Sequence, residues 1–264
     1  MLRILFLLCL TSALGAQQDF KIAAGGKTIE FKEIDRLTIV GSTGTEMTLE
    51  AQKEGKVDDR AAGLRQISAS GLTDNTGFGL SVTEREGRIL VQQVGGEGSG
   101  VTVRVPNSAT VSVEQTTHRG GDLKVSDFSG ELDVSMMYHH VELNNVTGPV
   151  AVNAVYDDII AKWDAAPTKE VRLHSTYADV DVTLPASTKA DLRLSTGYGN
   201  MYTDFDIQIK SNTVSGKPET ERDEWRGRRD RDDIVTNSLS GTINGGGTLL
   251  ALTATYDNLY IRKK

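Results

Sequence analysis

Thirteen-residue segments at 131–143, 149–161, 170–182, 191–203 and 249–261 superimpose without gaps, with apolar residues recurring at alternate places. The second, fourth, eighth and eleventh places are apolar or tyrosine in all 20 instances, as in Leu132, Val134, Tyr138 and Val141. The third, fifth and seventh carry mainly Asp, Ser, Asn, Arg, His and Thr. A two-residue period is that of a β-strand with one face buried. Tyr138, Tyr156, Tyr177, Tyr198 and Tyr256 fall in one column, in phase with the buried places. This predicts an inward or corner stack of rings, whereas an outward column would be a platform for carbohydrate or peptide. After the tyrosine the parity changes, so two residues must turn the chain: His139-His140, Asp157-Asp158, Ala178-Asp179, Gly199-Asn200 and Asp257-Asn258. Most are types that tolerate left-handed backbone or form side-chain turns. Each copy reads as strand, corner, strand.

Tyrosines 18, 21 and 21 residues apart, from Tyr138 to Tyr198, suit the coils of a β-solenoid, in which each rung buries its inner face by stacking on the next. A β-sandwich built from meanders is the competing architecture, because Asp-Asn and Gly-Asn also make two-residue hairpin turns. The likeness of the copies in side chain as well as pattern favours the solenoid. Residues 110–125 form a looser copy, with Val111, Val113, Leu123 and Val125 in the apolar places and Gly120-Gly121 inserted at the corner. Earlier strand-like runs occur at 27–31, 37–40, 46–51, 79–82, 88–92 and 101–105. No long run has helical spacing. The expectation is one all-β domain over 18–264 with a less regular N-terminal portion.

Residues 217–233 break this order, with 13 charged residues of 17, and predict a protruding loop within 211–240. Trp225 in its middle is either packed back on the wall or a contact for a partner.

The segment before the repeats changes where the chain is expected to work. Arg3, the apolar run 4–10 and the small residues up to Ala16 have the form of a secretory signal peptide over residues 1–16, too short to span a bilayer. Its removal takes away Cys9, the only cysteine, so neither disulfides nor thiolate zinc sites remain. It leaves 28 basic against 36 acidic residues, a net charge of −8 that disfavours nucleic acid and anionic membranes.

The repeat, the run 199–205 (GNMYTDF) and the closing stretches 243–247 (INGGG) and 256–263 (YDNLYIRK) resemble the adhesin-like family of bacterial envelope domains, most clearly from about residue 100 onward. The resemblance implies a right-handed, single-stranded β-helical fold and export to the periplasm or cell surface. It implies no chemistry, since that family's adhesin label is itself drawn from the fold. Met201, where a branched residue is more usual, and the charged insertion depart from its pattern.

Catalytic motifs are absent. Residues 95–100 (GGEGSG) lack the spacing of a nucleophile elbow or phosphate loop, and Gly245-Gly246-Gly247 precedes a strand rather than a helix. If coils stack at about 4.8 Å, His139 and His140 lie beside Asp157 and Asp158, with Asp179 and Asn200 continuing the line. Turn geometry alone accounts for these residue types, but imidazole beside carboxylate could also hold a divalent cation. Facing carboxylates could serve glycoside cleavage. His118 and His174 stand alone. The leader and the repeat predict an exported, non-enzymatic scaffold without cofactor, and the resemblance implies an adhesin-like one that binds envelope proteins or glycans. Contacts would come from its faces, the 217–233 loop or self-association at its rung edges. A β-helical carbohydrate-active enzyme using Asp157, Asp158 or Asp179 is the alternative.

Overall fold

The computed structural model describes residues 20–51, 60, 64, 66–95, 100–214 and 237–264. Along the chain lie β1 (Phe20–Ala23), β2 (Thr28–Lys32), β3 (Leu37–Ser42), β4 (Glu46–Ala51), β5 (Leu80–Arg85), β6 (Arg88–Gln93) and β7 (Val101–Pro106). Next come β8 (Thr110–Gln115), β9 (Leu123–Ser126), β10 (Glu131–Met136), β11 (Val141–Asn144), β12 (Val150–Ala154), β13 (Ile159–Lys162), β14 (Val171–Ser175) and β15 (Val180–Leu184). The last are β16 (Ala190–Thr196), β17 (Met201–Thr203), β18 (Ile207–Val214), β19 (Asn237–Ile243), β20 (Thr248–Ala254) and β21 (Leu259–Lys263). No helix occurs among the described residues, and none there is long and apolar enough to cross a membrane.

The strands form two mixed sheets, one of ten strands and one of eleven. From β8 to β15 consecutive strands alternate between the sheets, and each of β8 to β13 pairs in parallel with the strand two places on. A meander would instead pair successive strands antiparallel. Register follows the repeat: Ile89, Ile29, Val111, Leu132, Val150, Val171, Leu250 and Leu192 face one another as a continuous row across the eleven-stranded sheet. All eight are buried, and the opposite sheet contributes Leu37, Leu123, Val141, Ile159, Val180 and Leu259 to the same core. One residue of slip would turn such a row outward, so the alternation itself enforces the register.

The stacking order departs from the chain order, which corrects the expectation of a single-stranded solenoid. The unit β20–β21 lies between β14–β15 and β16–β17, and β2–β3 lies between β6–β7 and β8–β9. At both ends the unit that comes last, or first, in sequence sits one place inside the stack. The outer units are flanked by antiparallel strands, β19 on β16, β4 on β7 and β5 on β6. Parallel rungs left bare would offer open edges for pairing with another chain, and the antiparallel strands occupy three of them. β18 and β19 run to Val214 and from Asn237, so strand replaces loop at both flanks of 211–240. Residues 217–233 with Trp225, and the segment 1–16 expected to be a signal peptide, lie outside the described residues.

Candidate functional site

The corner between the two sheets gathers most of the residues singled out by sequence. Each unit leaves the eleven-stranded sheet after the sixth place of its repeat, at Met136, Ala154, Ser175, Thr196 or Ala254, and re-enters the other sheet at the eleventh. The turn thus takes four residues rather than two, and it starts before the tyrosine. That early departure puts the five rings outside, 41 to 55% exposed, and not inward as their phase suggests.

Once outside, the rings stack on one another. Tyr138 and Tyr156 lie 5.1 Å apart between centroids, Tyr156 and Tyr177 5.2 Å, Tyr177 and Tyr256 4.8 Å, and Tyr256 and Tyr198 4.8 Å, with interplanar angles of 7 to 15°. The spacing is that of neighbouring strands. His118 closes one end edge-on to Tyr138, with centroids 6.4 Å apart. Because ring faces cover one another, the column shows solvent mainly ring edges and phenolic hydroxyls. A second pair, Tyr202 on Tyr260 at 5.2 Å, continues onto the ten-stranded sheet, where the Arg262 guanidinium lies 4.9 Å from the Tyr260 ring. The sequence places both tyrosines at the twelfth position of their copies, but only the adjacency of β21 and β17 makes them a pair.

Below the rings runs a ladder of side-chain oxygens. Asp158 Oδ1 accepts the N–H of Asp179 at 3.0 Å, Asp179 Oδ1 that of Asn258 at 2.9 Å, and Asn258 Oδ1 that of Asn200 at 3.0 Å. Asp157 and Asp257 accept the N–H groups of the residues that follow them, at 2.8 and 3.1 Å. Turn chemistry therefore explains why Asp and Asn recur here: an Oδ1 at this place satisfies a backbone donor that the bend leaves outside the sheets. Asn200 meets Asn258 rather than Asp179, since β20–β21 intervenes. Asn258, read from the sequence as a turn residue but not as part of the candidate line, is the link that joins them.

Carboxylates crowd this ladder. Asp157, Asp158, Asp179 and Asp257 have no Lys or Arg partner among the described residues, unlike Glu142 with Lys124 or Asp181 with Arg262. Burial, then hydrogen bonding and charge from Asp179 with a further push from Asp158, hold the Asp257 carboxyl above the usual carboxylate range. His140, Asp157 and Asp158 come within 4.8 Å of one another through one ligand atom each. His139 points elsewhere, its Nε2 lying 3.1 Å from the Arg119 carbonyl oxygen. His174 is separate again. It borders a depression of about 400 Å³ on the outer face of the eleven-stranded sheet, with Asp133, Asn153, Arg172 and Thr253, and burial lowers its pKa.

No family model matches the chain, and no curated protein matches it. Among solved structures, a candidate cell adhesion protein from Clostridium sporogenes is similar at a TM-score of 0.40 and 11% identity, with 93% of this chain and 99% of that chain covered. A candidate adhesin from Bacteroides fragilis is similar at a TM-score of 0.30 and 8% identity, covering 93% and 96%. A likeness at this level decides neither fold nor function.

Proposed function

We propose that this chain is an exported, non-enzymatic, adhesin-like module that binds an envelope protein or glycan along its tyrosine corner. The observation that carries this reading is the five-ring column: half-exposed aromatic side chains held in one orientation by their neighbours. A rigid amphipathic surface of this kind binds with little further loss of side-chain entropy, which is why tyrosine serves so well in recognition surfaces. Parallel stacking of units over β10–β15 lengthens the corner by one tyrosine and at least one polar turn residue per unit, so contact area scales with repeat number. Backbone N–H groups bound to their Oδ1 atoms account for the corner carboxylates as turn residues, with no acid–base role required.

Beads carrying the protein should retain purified envelope glycan or envelope protein, and Tyr156→Ser with Tyr177→Ser should lower retention at least tenfold while far-UV circular dichroism stays unchanged. Equal retention by the folded double variant would remove the tyrosine corner as the binding surface. Turnover of glycan during the same incubation would overturn the non-enzymatic reading.

A further inference from the structure

Of the two corner histidines, only His140 has a ring left without a hydrogen bond among the described residues. The Val141 N–H donates to the Asp158 carbonyl at 3.0 Å, which sets His140 beside Asp158 on adjacent units. Asp157 precedes Asp158 in the same turn, and the ligand atoms of all three lie within 4.8 Å. Each carboxylate is oriented through Oδ1, Asp157 by the Asp158 N–H and Asp158 by the Asp179 N–H. Both retain a second oxygen. Neither has a cationic partner among the described residues, whereas carboxylates out on the sheet faces, such as Glu142, Asp181 and Asp191, each reach a Lys or Arg at 2.9 to 3.1 Å. The corner thus holds an imidazole and two uncompensated carboxylates on backbone that parallel pairing keeps in place.

We infer that His140, Asp157 and Asp158 form a binding site for a divalent first-row transition-metal ion of the zinc type. One nitrogen and two oxygen donors suit such an ion, with water filling the remaining positions. Two carboxylates balance its charge. Calcium and magnesium take oxygen ligands and gain nothing from the imidazole, so the histidine is what distinguishes this site from a plain acidic turn. The ion would tie β10–β11 to β12–β13 at the corner, beneath Tyr138 and Tyr156. The inference does not depend on the tyrosine corner being the partner-binding surface.

Titration of the metal-free full chain with Zn²⁺ alone, followed by calorimetry and by thermal melting, tests the assignment. A single site and a raised melting midpoint are expected, with Mg²⁺ giving neither. His140→Ala should weaken Zn²⁺ binding at least tenfold, as should Asp157→Asn, which keeps an oxygen for the Asp158 N–H. His139→Ala should leave binding intact. Metal-free melting midpoints equal to that of the parent show that each variant is folded. Absence of Zn²⁺ binding by the parent protein overturns the inference. So does binding that His140→Ala leaves unchanged, or Ca²⁺ binding that is as strong as Zn²⁺ binding and indifferent to His140.

Discussion

Tyr177 stacks on Tyr256 with ring centroids 4.8 Å apart, although β16, β17, β18 and β19 all lie between them in the chain. Chain order would have put Tyr198 beside Tyr177 instead. The relationship gives a direct test of the stacking order. A double-mutant cycle with alanine at Tyr177 and Tyr256 should return a coupling of about 0.5–1.5 kcal/mol in urea unfolding, whereas Tyr177 with Tyr198 should return close to none. Coupling between Tyr177 and Tyr198 equal to that of Tyr177 and Tyr256 would contradict the observed order.

Trp163 is the largest fully buried side chain among the described residues, and its Nε1–H donates to the Val146 carbonyl at 2.7 Å. Trp163→Ala should lower unfolding stability by about 3–5 kcal/mol through the cavity it leaves. Trp163→Phe fills most of the space but orphans the carbonyl oxygen, a cost of about 1–3 kcal/mol on top of lost volume. Chemical denaturation should therefore rank the parent above Trp163→Phe and Trp163→Ala last.

Gly148 lies where consecutive units press backbone to backbone, and a Cβ there would run into the carbonyl oxygens of Gly130 and Ser129. These are main-chain atoms of a paired unit and cannot rotate aside. Gly148→Ala should destabilise the protein by about 1–3 kcal/mol, the usual penalty for overpacking. Gly44→Ala, where a Cβ would approach only the Ser42 hydroxyl at 4.0 Å, serves as the control and should change the denaturation midpoint little.

The Asp257 carboxyl is raised by burial and by its acidic neighbours Asp179 and Asp158. A carboxyl with a higher pKa in the folded than in the unfolded state binds more protons when folded, so stability falls as pH rises through the interval between the two values. Asp257→Asn keeps an Oδ1 acceptor for the Asn258 N–H and removes the charge. Melting midpoints should place the variant above the parent at neutral pH. The gap should close as pH drops below the unfolded-state value of about 3.9. A variant that melts lower than the parent at neutral pH would show that the Asp257 charge is instead favourable.

Much of the fold is legible one strand at a time. Runs expected at 37–40, 46–51, 88–92 and 101–105 correspond to β3, β4, β6 and β7, each within two residues at its ends. β1 and β19 are too poor in large apolar residues to stand out in the sequence: β1 has only Phe20 and Ile22, and Asn237 to Gly241 has Leu239 alone, all three packed on the core only in part. At the corner, Asp158, Asp179 and Asn200 were visible as turn residues, but their hydrogen bonds run between units, so no single copy reveals the ladder. The tyrosines of the column stack at the corner, one of the two placements their phase allows, and not inward. Their phase held up to the sixth place, and the chain turns at the seventh.

What the sequence determines by itself is local: which residues of each strand point inward, and where each copy must bend. A two-residue alternation acts within a single strand and needs no neighbour to be read. The order of the units belongs to the tertiary structure alone. Val150, Val171, Leu250 and Leu192 are near-equivalent in shape and burial, so any unit could cover any other on grounds of the core. The choice falls to contacts made at the ends, where β19 pairs antiparallel with β16 and the returning chain lays β20 between β16 and β14. In that position the last unit is hydrogen-bonded on both sides instead of ending the stack as an open edge.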